Sequence, residues 1–266
     1  MVSGIKIFFM ISSAIISIVL PILLAVLIIK KYKANVEAIV VGGTVFFIFQ
    51  IILRIPLLNT ISSTSWYQNL AGNFLLTSLF LGITAGIFEE VGRFVGYKVL
   101  IKRKYYSYKN GIGFGIGHGG IEAILLVGLT YINNIVMSLF INSGKFDTVF
   151  GGNLSQDALT LAKSQLIDTK AYMFLFGGLE RIFAITIQIA FSLIILYAVK
   201  YKKYSYILLA ILLHAIVDAP VAYMSFKGIN TILIEGYTFL CAGSALMYII
   251  KSKNCFKDKT IEENAH

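Results

Sequence analysis

The chain has 266 residues, 58% of them hydrophobic and only 14% charged. Soluble domains carry about a quarter charged residues, so composition excludes an ordinary water-soluble globule. The net charge of +10 does not point to nucleic acid, because the basic residues form short clusters between apolar runs and no nucleic-acid module is present.

A helix needs about 20 mostly apolar residues to cross a bilayer. Seven runs qualify, at about 5–29, 36–54, 70–101, 111–141, 171–199, 204–224 and 229–250. The expected fold class is therefore all-α: a polytopic transmembrane helical bundle of about seven spans, forming one domain over 1–250. The first run is followed by lysines and contains no small-x-small cleavage site, so it reads as a retained span rather than a signal peptide. Between the runs, residues 55–69 are Ser/Thr/Asn-rich with Trp66 and Tyr67, and residues 142–170 carry Asp147, Asp157 and Asp168. A short surface helix is expected over 154–166. Residues 251–266 read as a charged, disordered cytoplasmic tail. Cys241 and Cys255 have no evident partner and imply no disulfide framework.

Basic residues set the expected orientation. Lys30, Lys31 and Lys33 follow the first run; Lys102, Arg103, Lys104 and Lys109 the third; Lys200, Lys202 and Lys203 the fifth; Lys251, Lys253, Lys257 and Lys259 the seventh. The alternate loops hold only Arg54, Lys145, Lys163, Lys170 and Lys227. The positive-inside rule then puts the N-terminus outside and the C-terminus inside. The setting is a cell membrane crossed several times, with lipid as the surrounding partner.

Ionisable groups deep within the runs are informative because charges in hydrocarbon are costly unless paired. The third run carries Glu89, Glu90 and Arg93; the fourth His118 and Glu122; the fifth Glu180 and Arg181; the sixth His214 and Asp218. Helical spacing puts Glu89 with Arg93, His118 with Glu122, and His214 with Asp218 at i,i+4, each pair on one helix face. Depth gives a second criterion. Glu89 and Glu90 lie roughly 18 and 16 Å from the basic end of their helix, His118 and Glu122 about 10 and 16 Å, and His214 and Asp218 about 15 and 21 Å. Three helices thus deliver their polar groups to one layer, while Glu180 and Arg181 fall nearer the other side and read as a separate ion pair. Taken singly, each group reads as well as a buried ion pair or a packing histidine; the shared depth favours a site.

The residue types suggest hydrolysis. A buried carboxylate can act as a general base on water. Histidine can orient water, donate to an oxyanion or bind metal. His118 and His214 with Glu122 or Asp218 would also make a usual catalytic set for zinc or another divalent metal. Competing protease signatures are missing: there is no HExxH, no G-x-S-x-G serine and no intramembrane aspartate pair.

The ordered set Glu89-Glu90-x-x-Arg93, Gly117-His118-Gly119-Gly120-x-Glu122, Gly-Gly-Leu-Glu180-Arg181 and His214-x-x-x-Asp218 resembles the YhfC family of intramembrane metalloproteases, a branch of the superfamily of CAAX prenyl proteases, bacteriocin-processing proteins and PrsW proteases. The resemblance covers about 70–224. It implies a site within the bilayer, Glu89 and Glu90 as water-activating groups, and His118 and His214 as water-orienting, oxyanion-stabilising or metal-binding groups, acting on a peptide or membrane-protein substrate. In the CAAX branch three residues separate the second glutamate from the arginine and the last motif ends in asparagine; here two do, and Asp218 stands at the end. That favours the YhfC branch and counts against prenylated substrates. The alternatives are a proton-coupled transporter using the same groups as a relay, and a non-catalytic membrane scaffold or immunity-type protein.

Overall fold

The computed structural model describes residues 1–152 and 155–256. Among the described residues, seven helices are long and apolar enough to cross a membrane: α1 Gly4–Lys30, α2 Val36–Ile61, α3 Phe74–Leu100, α4 Tyr108–Asn142, α5 Ala171–Lys200, α6 Ser205–Phe226 and α7 Thr231–Phe256. No strand occurs among the described residues. The protein is an all-α, multi-pass membrane protein.

Local chemistry starts several of these helices. The side chain of Asn35 accepts a hydrogen bond from the backbone N–H of Glu37 at the start of α2, and Asn73 accepts from Leu75 and Leu76 at the start of α3. Such caps satisfy backbone donors that no preceding turn can reach. Short surface helices Ser65–Ala71 and Phe146–Phe150 fill the connections, and a third, Gln156–Asp168, lies close to the range expected for a surface helix. The side chain of Ser155 caps that helix by accepting from the Ala158 N–H at 3.3 Å. The expected tail is helical as far as Phe256, and residues 257–266 lie outside the described residues.

Arg54 departs from the sequence reading. The sequence places it in a loop, but α2 runs on to Ile61 and holds Arg54 inside the bundle, 8% exposed. Its guanidinium donates to the Leu81 carbonyl at 2.7 Å and lies within reach of Thr84 on α3. The surrounding stretch, Phe47–Arg54, is wound as a π-helix. A charge marks the end of an apolar run in sequence, whereas in the fold neutral acceptors on α3 solvate Arg54 in place.

The arrangement that positions the polar groups is simple. α5 is the central helix: 67% of its most apolar stretch is buried, against 39% or less for every other span. α3 packs most extensively on α6, α2 on α4, and α5 on α4. Glycines set two of these approaches. A Cβ on Gly86 would lie 2.7 Å from the Ile211 carbonyl oxygen and 3.2 Å from the His214 Cβ, so α3 meets α6 at backbone distance beside that histidine. A Cβ on Gly117 would collide with the Ile39 carbonyl, which brings α2 against α4 beside His118. Small residues permit such contact where lipid provides no hydrophobic drive between helices.

Candidate active site

α3, α4 and α6 converge with α5 on a polar layer enclosed by the bundle. Glu90, Arg93 and His118 are 0% exposed, His214 3% and Glu89 5%. Glu89, Glu90 and Arg93 share one face of α3 because they fall within a single helical turn. Arg93 forms an ion pair with Glu90 Oε1 and approaches Glu89 Oε2 at 3.5 Å. The same guanidinium donates to Gln188 Oε1 on α5. One arginine therefore serves two carboxylates and an amide, the pairing that makes buried charge tolerable.

The histidines engage the two glutamates. His118 Nε2 lies 3.0 Å from Glu89 Oε2. His214 Nδ1 lies 2.8 Å from Glu90 Oε1, while its Nε2 faces Glu89 Oε2 at 3.9 Å and Asp218 Oδ2 at 3.4 Å. Both edges of the His214 ring are thus held by carboxylates. Phe191 stacks on its face, with ring centroids 4.9 Å apart and planes 9° from parallel. His118 is held edge-on by Phe46 at 5.2 Å. An ionised carboxylate only accepts hydrogen bonds, so beside Glu89 the His118 Nε2 carries the hydrogen.

The two glutamates are not equivalent. Glu90 is enclosed, with Oε1 shared by Arg93 and His214 and Oε2 lacking any hydrogen-bond partner. Glu89 is slightly exposed and lies within reach of both imidazoles. Asp218, whose side chain is 40% exposed, marks the open flank of the layer.

Gln188 was not singled out from sequence. Its Nε2 donates to Glu89 Oε2 at 3.2 Å and to Glu122 Oε2 at 2.7 Å, while its Oε1 accepts from Arg93. The available signal was an amide inside the apolar stretch Ile185-Thr186-Ile187-Gln188-Ile189, and a search confined to ionisable groups passes over it. Glu122 is also placed differently from the expectation that it completes a metal set. It accepts from Arg181 Nη1 at 3.1 Å and from Gln188, because one turn beyond His118 the face of α4 meets α5. Arg181 also binds Glu180 at 2.7 Å. The pair that sequence assigned to a separate location is joined to the site through Gln188.

The YhfC intramembrane metalloprotease family matches residues 16–238. The chain belongs to that family. The Bacillus subtilis (strain 168) relative described as "Uncharacterized membrane protein YhfC" is 35% identical over 260 residues, covering 97% of this chain and 100% of the relative. No solved structure matches.

The family description implies a metal, and the side chains permit a test of fit. The donor types suit zinc, since imidazoles and carboxylates are its usual ligands. The arrangement does not. Among the described residues no group of three or more His, Cys, Asp or Glu side chains is disposed to hold a metal ion. His118 Nε2 and both ring nitrogens of His214 are turned onto carboxylates, and the buried Arg93 guanidinium already contacts both glutamates, where a second cation would meet a like charge. The residues as placed do not fit the metal.

Proposed function

We propose that this protein is an intramembrane peptidase in which Glu89 activates the attacking water. The observation that carries the reading is the position of Glu89 Oε2, 3.0 Å from His118 Nε2 and 3.9 Å from His214 Nε2, on the less enclosed of the two glutamates. Glu89 takes a proton from water, and the resulting hydroxide attacks the carbonyl carbon of a peptide bond. The carbonyl oxygen becomes an oxyanion, which an N–H of His214 stabilises as in other acyl-transfer sites. Glu89 then delivers the proton to the leaving nitrogen, the C–N bond breaks, and a carboxyl and an amine depart. Water orientation falls to His118. Glu90, Arg93 and Asp218 position these groups: Arg93 balances both glutamates, while Glu90 and Asp218 hold the His214 ring. No step is routed through a metal.

The test is cleavage of a fluorogenic membrane-spanning peptide by the purified protein in liposomes. Glu89→Gln and His118→Ala are each expected to lower turnover by at least about a hundredfold, the usual contribution of acid–base groups. Full turnover in both variants would sink the mechanism. Elemental analysis of the wild type beside His118→Ala and His214→Ala addresses the family's metal. Substoichiometric metal, equal in all three, is expected; stoichiometric zinc lost in both variants would displace Arg93 as the cation of the site.

One observation favours a second reading, a proton-coupled transporter. Hydrogen bonds run without a break from Glu89 through Gln188, Glu122 and Arg181 to Glu180. Intramembrane carboxylate chains are typical of proton pathways. Proton flux into liposomes that vanishes in Glu122→Gln, with no peptide cleavage, would favour it.

A further inference from the structure

A cavity of about 730 Å³ opens between the ends of α1, α4 and α7, away from the polar layer. Its inner wall is aliphatic, formed by Ile28, Ile112, Ile116 and Ile189. Its rim is of different chemistry: Tyr32 and Tyr108 supply amphipathic rings, and Lys109 and Lys253 supply charge. Neither lysine has a hydrogen-bond or carboxylate partner among the described residues. This is the basic end of the bundle, where Lys30, Lys31, Lys33, Lys102, Arg103, Lys104 and Lys251 also cluster. The carboxylate described at this end, Glu37, lies beside the Asn35 amide at 3.4 Å.

We infer that this groove is a binding site for one anionic phospholipid. Charge complementarity selects the occupant. Two ammonium groups without a carboxylate partner, 144 residues apart in sequence (109 and 253), line one opening, and their charge draws a phosphodiester to it. The aliphatic wall below them takes acyl chain, which a soluble anion lacks. Tyrosines at the mouth sit where aromatic side chains prefer the boundary between headgroup and hydrocarbon. Basic pockets between spans at the positively charged face recognise acidic headgroups in this way. The volume lies within the range of ordinary small-ligand sites. The chain's own residues 257–266 begin next to Phe256 on the same rim, but they carry Lys257 and Lys259 beside Asp258, Glu262 and Glu263 and hold a single large apolar side chain, Ile261, so they suit the aliphatic wall poorly.

The test uses the full chain in a neutral detergent, titrated with phosphatidylglycerol or with phosphatidylcholine, and read by native mass spectrometry and by thermal unfolding. One retained phosphatidylglycerol per chain, with an upward shift in unfolding temperature that phosphatidylcholine does not produce, is expected. In the double variant Lys109→Gln/Lys253→Gln phosphatidylglycerol should bind roughly ten- to thirtyfold more weakly, the effect of two basic groups near an acidic headgroup. The control Lys102→Gln/Lys104→Gln, on the same face but outside the groove, should retain the preference. Equal loss in both double variants would mean diffuse surface attraction and overturn the site. Failure of the wild type to distinguish the two lipids, as when residues 257–266 fill the groove, would overturn it too.

Discussion

Two arginine-centred clusters lie inside this bundle, and they differ in one respect. Arg93 holds Glu89 and Glu90; Arg181 holds Glu122 and Glu180. Both solve the same problem, which is to keep carboxylates in a medium that does not solvate charge. Only the first has histidines, one on each glutamate, with aromatic rings fixing both imidazoles. The second consists of ion pairs and an amide contact, an arrangement sufficient for structure. Buried charge therefore marks neither cluster as chemical. The imidazoles that can hand protons and hydrogen bonds to a substrate distinguish them.

The largest expected effect separates the clusters by activity. Glu89→Gln should cost about 10²–10⁴ in turnover of a membrane peptide, the span for loss of a general base. Glu122→Gln should stay within about tenfold. If both fell equally, the Arg181 cluster would belong to the chemistry and the comparison would break.

Stability should reverse the contrast by treating the clusters alike. Arg93→Met and Arg181→Met each leave two carboxylates without their cation. Removing one partner of a buried pair costs about 3–5 kcal/mol. Thermal unfolding in detergent should show a large fall for both, greater for Arg93, which is 0% exposed against 8% for Arg181. A neutral Arg93→Met would mean that its two glutamates are already protonated in the wild type, and the proposed base would be lost with that result.

A smaller effect concerns helix approach. Gly117→Ala puts a methyl against the Ile39 carbonyl. Overpacking of this kind costs about 1–3 kcal/mol. The shift of α4 relative to α2 should also lower turnover, through displacement of His118, whereas Gly236→Ala, with open space around it, should change neither measurement.

Much of this was legible in the sequence, and the reasons are physical. Hydrocarbon thickness fixes helix length, so seven apolar runs gave seven spans with ends displaced by a few residues, except where Arg54 was taken for a boundary. The i,i+4 spacing and common depth gathered Glu89, Glu90, His118, His214 and Asp218 correctly from three helices, because a straight helix converts residue number into height. Rotation about the helix axis is a different matter. Glu122 shares the depth of Glu90 yet faces Arg181, and nothing in depth or in the spacing to His118 says which neighbour that face meets. Gln188 was hidden for another reason: an amide carries no charge, so it leaves little trace in a hydropathy profile, although it touches three ionisable groups.

Gln188 offers the finest test of the difference between the clusters, because it stands in both. Its carbonyl oxygen accepts from Arg93 while its single amide nitrogen donates to Glu89 and Glu122. Among side chains of this length only an amide offers an acceptor to the guanidinium and a donor to two carboxylates. Gln188→Glu preserves shape and the bond to Arg93 but turns an acceptor toward each carboxylate, adding like charge. Gln188→Met removes all three hydrogen bonds and adds none. If the amide serves the fold alone, both variants should lose stability, by about 1–3 kcal/mol for Gln188→Met from unsatisfied neighbours, with the pH profile of turnover unmoved in either. If it positions Glu89, Gln188→Glu should lower kcat about tenfold with KM little changed and shift the pH profile of kcat/KM, whereas Gln188→Met should lower kcat without moving the profile. Measured together, the two pH profiles decide whether the clusters are neighbours that share a wall or one electrostatic unit whose second half sets the charge environment of the first.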